Sequence, residues 1–353
     1  MDDHTDGLAL ARHVAARVRA VGSAALPASF LAELDALRDR GTGPHLRAFL
    51  DSVLARRDGR FVNRHYLALP LLELVGLDPD RLAALLMADV VRHELHNAGS
   101  PDSPAPDVLR KRVRHARRFV GRCLGETVEP ACPLDGLPDA PAAGWLDLTV
   151  LPVSTRHDEH FFIRSLQCHE LTFTVLVADV RAATAALRAG DVDGAVAHLD
   201  HAGTVFERAQ LLFRIVATMS ADAFADFRTH TEGASAVQSD QYKRFEVACG
   251  RPRAERLASM AFDGVPAVRA EALAGGDDLS RALLDVPPTE RLTAAVRRLE
   301  AAHQRWKATH RSLAARMLGD RPGSGYSSGV PYLGECLRNR LFWRVGGVDG
   351  AAS

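Results

Sequence analysis

The residues best suited to chemistry in this chain lie on one helical stripe. Between positions 289 and 318, Val296, Leu299, His303, Trp306, His310, Leu313 and Met317 follow a strict 3-4-3-4-3-4 spacing, which lines them along a single face of an α-helix. An imidazole on such a face either satisfies itself with an internal hydrogen bond or offers a nitrogen to a metal. Spacing alone leaves both uses open for His303 and His310. The segment that follows, Arg321-Pro322-Gly323-Ser324-Gly325-Tyr326-Ser327-Ser328-Gly329-Val330, is rich in glycine and hydroxyl groups. That composition serves an ordinary connection and also a loop that closes over a ligand. His93-Glu94-Leu95-His96 resembles a zinc helix motif, but its histidines stand at i and i+3 rather than i and i+4 and no third ligand is evident, so a polar helix end is the reading adopted. Other chemistries drop out by inspection. No GxxxxGK[ST] phosphate loop and no GxGxxG after a strand occurs, and Gly325-Tyr326-Ser327-Ser328-Gly329, which spells GxSxG, lacks the preceding strand that a nucleophile elbow needs. Five scattered cysteines, Cys123, Cys132, Cys168, Cys249 and Cys336, have no CxxC spacing and read as reduced thiols rather than a disulfide or zinc framework.

The elements that must position these groups are helices. At 353 residues, with 47% hydrophobic and 25% charged residues, the chain has the composition of a globular protein with a sizeable core. Alanine and leucine recur at helical spacing and alternation of strand type is rare, which predicts an all-α fold. Helices are expected over 8–21, 30–38, 44–56, 63–75, 79–97, 106–124, 158–189, 192–218, a short stretch after Ser220, 239–249 and 289–318. Asp78-Pro79 marks one start, and Gly99 and Gly319 mark ends. Pro130, Pro133, Pro138, Pro141 and Pro152 make 126–156 read as a linker or crossing loop. The organisation expected is therefore a helical N-terminal region over 1–125, that connection, and a core over 157–353. Lys+Arg and Asp+Glu are both 44, a balance that lacks the electrostatic footprint of a nucleic-acid or anionic-membrane binder. The apolar stretches are interrupted by charges, so no membrane span is expected, and the acidic start predicts a cytoplasmic protein.

Four ordered segments resemble one family. His157-Asp158-Glu159-x-x-Phe162-Ile163-x-x-x-Gln167-x-x-Glu170-Leu171 resembles the haem-site helix of tryptophan 2,3-dioxygenases, HDExxFIxxHQxxEL. Phe227-Arg228, then Gln238-Ser239-x-Gln241-Tyr242-x-x-x-Glu246, resemble that family's FR and QSxQYxxxE elements. Trp306-x-x-x-His310, followed by Gly323-Ser324-Gly325-x-Ser327-Ser328-Gly329-Val330, resembles its proximal haem helix and its GTGGSSGV loop. The resemblance covers roughly 157–340 and implies a helical bundle of the tryptophan 2,3-dioxygenase type with an extended helical N-terminal region.

The resemblance also implies roles. His310 would be the iron ligand of a haem, with Trp306 and Gly325 beside the cofactor and the opposite haem face left for dioxygen. Arg228 would hold the carboxylate of an aromatic α-amino acid with its two-pronged guanidinium. Ser324 would add a hydroxyl contact, and Phe162 and Leu166 would wall the aromatic ring. Leu166 is a departure, because the family carries there a histidine that contacts the indole N–H. Leucine can neither accept that hydrogen bond nor move a proton. His160 and His169 are the nearby polar candidates to replace it. The function implied is oxidation of L-tryptophan or a substituted tryptophan by O2 in secondary metabolism, by ring cleavage or by single hydroxylation. A tyrosine-hydroxylase-like haem monooxygenase and a non-catalytic haem-binding protein are the alternatives. A homo-oligomer is implied as well.

Overall fold

Helical periodicity becomes helix throughout the described residues of the computed structural model, which are 3–40, 42–54, 62–125, 141–228, 230–231, 239–323 and 327–346. The described residues contain no strand, and the all-α expectation is met. By internal contact the chain divides into two units, one made of Met1–Cys168, Arg214–Ala236 and Ser324–Tyr326 and the other of His169–Phe213, Val237–Gly323 and Ser327–Ser353.

The first unit holds α1 (Asp3–Val21), α2 (Ala28–Arg38), α3 (Pro44–Leu54), α4 (Asn63–Tyr66), α5 (Leu69–Leu74), α6 (Pro79–His96), α7 (Pro106–Leu124) and α8 (Pro141–Leu146), the start of α9 (His157–Arg188), and α11 (Ala221–Arg228). Where periodicity predicts one helix over 63–75, two form. Pro70 cannot donate to the carbonyl four residues back and crowds it, so the helix breaks at Leu67-Ala68, where Ala68 takes a left-handed φ of 45°. Part of the proline-rich stretch is helical too. Residues 141–146 form α8 and 147–149 a 3-10 turn, and Trp145, Leu148 and Leu151 are buried with Val14, Phe49, Leu50 and Leu71 in one apolar cluster. Residues 126–140 lie outside the described set. α6 starts where Asp78-Pro79 predicts, with the Asp78 carboxylate accepting the N–H groups of Asp80 and Arg81. It is buried nearly all round through Leu82, Leu86, Met87 and Val90, so its two buried acids, Asp89 and Glu94, must find partners inside the protein.

The second unit is built on the remainder of α9, α10 (Val192–Val216), α12 (Asp240–Cys249) and α17 (Glu290–Leu318). Between them lie four helices that the weak periodicity over 250–288 does not predict: α13 (Ala254–Leu257), α14 (Met260–Asp263), α15 (Pro266–Ala274) and α16 (Leu279–Leu284). α18 (Val330–Leu337) follows the glycine-rich loop. Side-chain caps fix the starts, with Ser239 accepting from Tyr242 N–H and Thr289 from Leu292 N–H. The stripe of α17 is the spine of this unit's core. Leu292, Val296, Leu299, His303 and Trp306 are buried with Phe173, Val180, Leu199, Phe206, Tyr242 and Phe245.

Candidate functional site

α17 carries two histidines that the fold treats differently. His303 is fully buried and committed through one nitrogen: its Nε2 lies 3.0 Å from the Tyr242 hydroxyl, while its Nδ1, 4.0 Å from a Glu300 carboxylate oxygen, makes no hydrogen bond among the described residues. Burial lowers its pKa to about 4. The arrangement that suits a neutral ring turns Nδ1–H toward Glu300 and lets the tyrosine O–H donate to Nε2. Two turns on, His310 is only half-buried. Its ring stacks on Phe213, with centroids 5.7 Å apart and planes within 14°, and lies 5.7 Å from Trp306. Burial brings it to about 4 as well, so the imidazole is neutral at physiological pH, as a metal ligand must be. It makes no hydrogen bond to the described residues.

Trp306 is the hub of this nest. Its indole meets Phe173 at 5.4 Å, Phe213 at 5.5 Å, Tyr242 at 5.5 Å and His169 at 5.8 Å, and its Nε1 has no hydrogen-bond partner among the described residues. His169, on the stripe Phe162-Leu166-His169-Phe173, is buried against Phe213 at 4.9 Å, and burial pushes it down to about 3.

In the other unit, Phe162 and Leu166 sit one turn apart on α9, both half-buried between the buried Phe161, Ile163, Ser165 and Gln167. Phe162 packs on Phe227 at 5.2 Å and Phe224 at 5.6 Å, both from α11. Arg228 is the last residue of that helix and follows Phe227 directly in the chain. The Arg228 carbonyl anchors the turn beyond by accepting Thr231 N–H at 3.1 Å and Thr231 Oγ at 2.9 Å. Ser324, Gly325 and Gln238 lie outside the described residues. The described ends of the glycine-rich loop are tied together, with Gly323 N–H donating to the Ser327 carbonyl at 2.9 Å.

A lattice of buried ions holds the start of α9, and sequence reasoning does not find it. Arg112, with no exposed surface, donates to Glu94 at 2.8 Å, Asp158 at 2.9 Å and the Thr218 hydroxyl at 2.9 Å, and lies 3.7 Å over the Phe161 ring. Arg164 donates to Asp89 at 2.8 Å and to the Thr149 hydroxyl at 2.6 Å. Burial pushes the Asp89 carboxyl up, but Arg164 and His160 hold it well below the usual carboxylate range. Glu159 takes N–H groups of Val153 and Ser154 and the hydroxyls of Ser154 and Tyr66, yet burial raises it to about 7. The signal available in sequence is the pair of acids inside the apolar run 82–94. His93 stacks flat on His160, with centroids 3.9 Å apart and planes within 5°, and tilts against His157 at 4.9 Å. No group of three or more His, Cys, Asp or Glu arranged for a metal ion occurs among the described residues.

Fold and site together define an all-α protein whose long helix offers a neutral, uncommitted histidine from an aromatic nest. Residues 148–262 match the family model for tryptophan 2,3-dioxygenase, a span that contains α9, Arg228 and the Ser239-Tyr242 element and stops short of Trp306 and His310. The chain is 30% identical over 238 residues to the tryptophan 2,3-dioxygenase of Anaeromyxobacter sp. (strain K), a match spanning 57% of this chain and 89% of that relative. It is 29% identical over 238 residues to that of Polaromonas sp. (strain JS666 / ATCC BAA-500), spanning 55% and 81%, and 27% identical over 233 residues to that of Caulobacter vibrioides, spanning 54% and 88%. The chain belongs to the tryptophan 2,3-dioxygenase family, as its four ordered motifs implied.

The residues present fit a haem. Such a group is flat, apolar and needs one imidazole nitrogen. The nest supplies aromatic walls, a neutral imidazole on His310 that could serve as the ligand, and buried polar ring atoms on Trp306 and His169 that the described residues leave without partners.

Proposed function

We propose that this protein is a haem-dependent oxygenase that uses O2 to oxidise an aromatic α-amino acid, L-tryptophan or a substituted tryptophan. The observation that carries the reading is His310: a neutral, half-buried imidazole without a hydrogen bond to the described residues, beside Trp306, in a chain of this family. His310 and Trp306 would hold the haem, with Gly325 beside it. Bound haem supplies the activation of dioxygen.

The remaining work belongs to side chains that bind and orient. Arg228 fixes the substrate carboxylate through paired hydrogen bonds, a geometry a lysine cannot copy. Ser324 adds a hydroxyl to the same end of the substrate. Phe162 and Leu166 wall the aromatic ring, and because Leu166 has no proton to give or take, this wall orients by shape alone. Orientation of this kind converts an encounter into an effectively intramolecular step. In this reading residues 157–353 form the haem-binding core, 126–156 connect it to the N-terminal region 1–125, and the chain assembles as a homo-oligomer of a secondary-metabolic pathway.

The test is an absorption spectrum of the haem-supplied protein, ferric and then ferrous, before and after L-tryptophan and L-tyrosine, with His310→Ala and His303→Gln alongside. The reading expects a Soret band that is lost in His310→Ala, kept in His303→Gln and perturbed by tryptophan. Mass analysis of the product then reads two oxygen atoms gained for ring cleavage and one for hydroxylation. A wild-type protein that takes up no haem refutes the reading, and haem without amino-acid response or turnover refutes its catalytic part.

A further inference from the structure

The unit built on α17 holds a cleft of about 380 Å3 that shares no residue with the aromatic nest. It is walled by the C-terminal half of α9, by α12 and α15, and by the 275–278 turn that leads into α16. Five arginines line it: Arg181, Arg244, Arg251, Arg281 and Arg344. No aromatic ring does so among the described residues, which leaves nothing on which an indole or a nucleobase could stack. What the cleft offers a ligand is charge and hydrogen bonds.

Three acids line the same cleft, and the structure commits each of them. Both carboxylate oxygens of Glu271 accept from the Arg244 guanidinium, at 2.6 and 2.7 Å. Asp277 is held by Arg188 through hydrogen bonds of 2.6 and 2.9 Å. Asp278 caps α16 by accepting the Arg281 backbone N–H at 2.9 Å. Against these, Arg181, Arg251 and Arg344 have no carboxylate partner among the described residues, and the Arg281 guanidinium donates to the Gly276 carbonyl at 3.2 Å. The result is a local excess of positive charge in a chain whose Lys+Arg and Asp+Glu are both 44. A sphere of the cleft's volume is about 9 Å across, close to the roughly 8 Å over which physiological salt screens charge. The guanidiniums therefore repel one another across the cleft, and a bound anion relieves that repulsion.

We propose that this cleft is a binding site for a compact polyanion, a phosphate ester or a polycarboxylate. The planar fork of a guanidinium matches the oxygens of either group two at a time, and Arg181, Arg251, Arg281 and Arg344 are the anchors. Gly275 and Gly276 leave room at the rim, since no atom lies within 4 Å of where a Cβ would stand at either. The ligand is a different class from the aromatic amino acid of the reading above, and the site does not depend on His310 holding haem.

The experiment is isothermal titration calorimetry on the haem-supplied full chain at constant ionic strength, with inorganic pyrophosphate and citrate titrated separately. The wild type is expected to bind at least one of them with a Kd of about 10–100 μM. Tighter binding of pyrophosphate identifies a phosphate-bearing ligand, and tighter binding of citrate a polycarboxylate. Arg181→Gln/Arg251→Gln is expected to weaken binding by about tenfold or more. Arg110→Gln/Arg118→Gln removes the same charge from exposed positions on α7 and stays near wild type. Gly276→Glu sets a carboxylate in the open rim without displacing a neighbour and abolishes binding, while the neutral Gly276→Gln keeps it. This second pair carries the test if the double arginine variant does not fold. No binding of either anion by the wild type, a loss shared equally by the α7 variant, or equal effects of Gly276→Glu and Gly276→Gln overturns the proposal.

Discussion

Replacing Arg112 by methionine removes one positive charge from a site with no solvent, while keeping a side chain of similar length. Three hydrogen bonds go with it, at 2.8 Å to Glu94, 2.9 Å to Asp158 and 2.9 Å to Thr218, together with the guanidinium contact over Phe161. Glu94 has no exposed surface. Burial alone pushes its carboxyl up, and the hydrogen bond from His157 and the charge of Arg112 are what hold it below the usual range. The variant therefore leaves a buried carboxylate with His157 as its remaining partner. Removing one member of a buried pair costs about 3–5 kcal/mol, a large fraction of the roughly 5–15 kcal/mol that stabilises a typical protein. The double variant Arg112→Met/Glu94→Leu removes both charges, and apolar replacement of a whole buried pair is close to neutral. It should therefore recover more than half of the loss. Urea unfolding followed by circular dichroism, on wild type, both single variants and the double, gives the coupling energy as a thermodynamic cycle. Because the chain has two units, the comparison is made on the transition that Arg112→Met moves. A single variant less than about 1 kcal/mol weaker than wild type, or a double variant no more stable than Arg112→Met, would refute the argument that this buried charge is held by its partner.

Gly22→Ala should destabilise by more than about 2 kcal/mol in thermal or urea unfolding: Gly22 has φ 78° and a Cβ there would sit 2.5 Å from the Val153 carbonyl oxygen, so a left-handed penalty adds to a backbone clash. Acid stability should depend on Glu300. Burial pushes its carboxyl up, but the nearby His303, 4.0 Å away, and the hydrogen bonds of Gln304 and the Phe342 N–H bring it down to about 2. A folded pKa below the unfolded 4.5 contributes stability above that value, lost as pH falls toward 2. The contribution is about 3 kcal/mol, and unfolding scans between pH 5 and 2 should show a shallower acid loss in Glu300→Gln. Arg228→Lys keeps the charge and loses the fork, so kcat/KM for the amino acid should fall about tenfold to a hundredfold while haem content is unchanged. A loss of haem instead would place Arg228 in the cofactor site.

Local signals carry much of the architecture. Apolar spacing announces α6, α9, α10 and α17, and the cap at Asp78 places the start of α6, because a cap needs only the N–H groups two or three positions on. The helices between 250 and 288 are not legible in the same way. They are four to nine residues long, too short to display a period, and they owe their helicity to packing.

The sequence by itself determined that the chain is helical, that His303 and His310 share a face, and that its motifs are those of the tryptophan 2,3-dioxygenase family. A period of 3.6 specifies which residues point the same way and is silent on what they meet. Only the tertiary structure separated the two histidines, giving His303 to Tyr242 across 61 positions and leaving His310 uncommitted among Phe213 and Trp306. It likewise paired Asp89 with Arg164 and Glu94 with Arg112, and stacked His93 on His160. Each of these outcomes depends on a contact between segments far apart in the chain, and burial makes such contacts decisive, because a polar group removed from water must find its partner wherever the fold puts one.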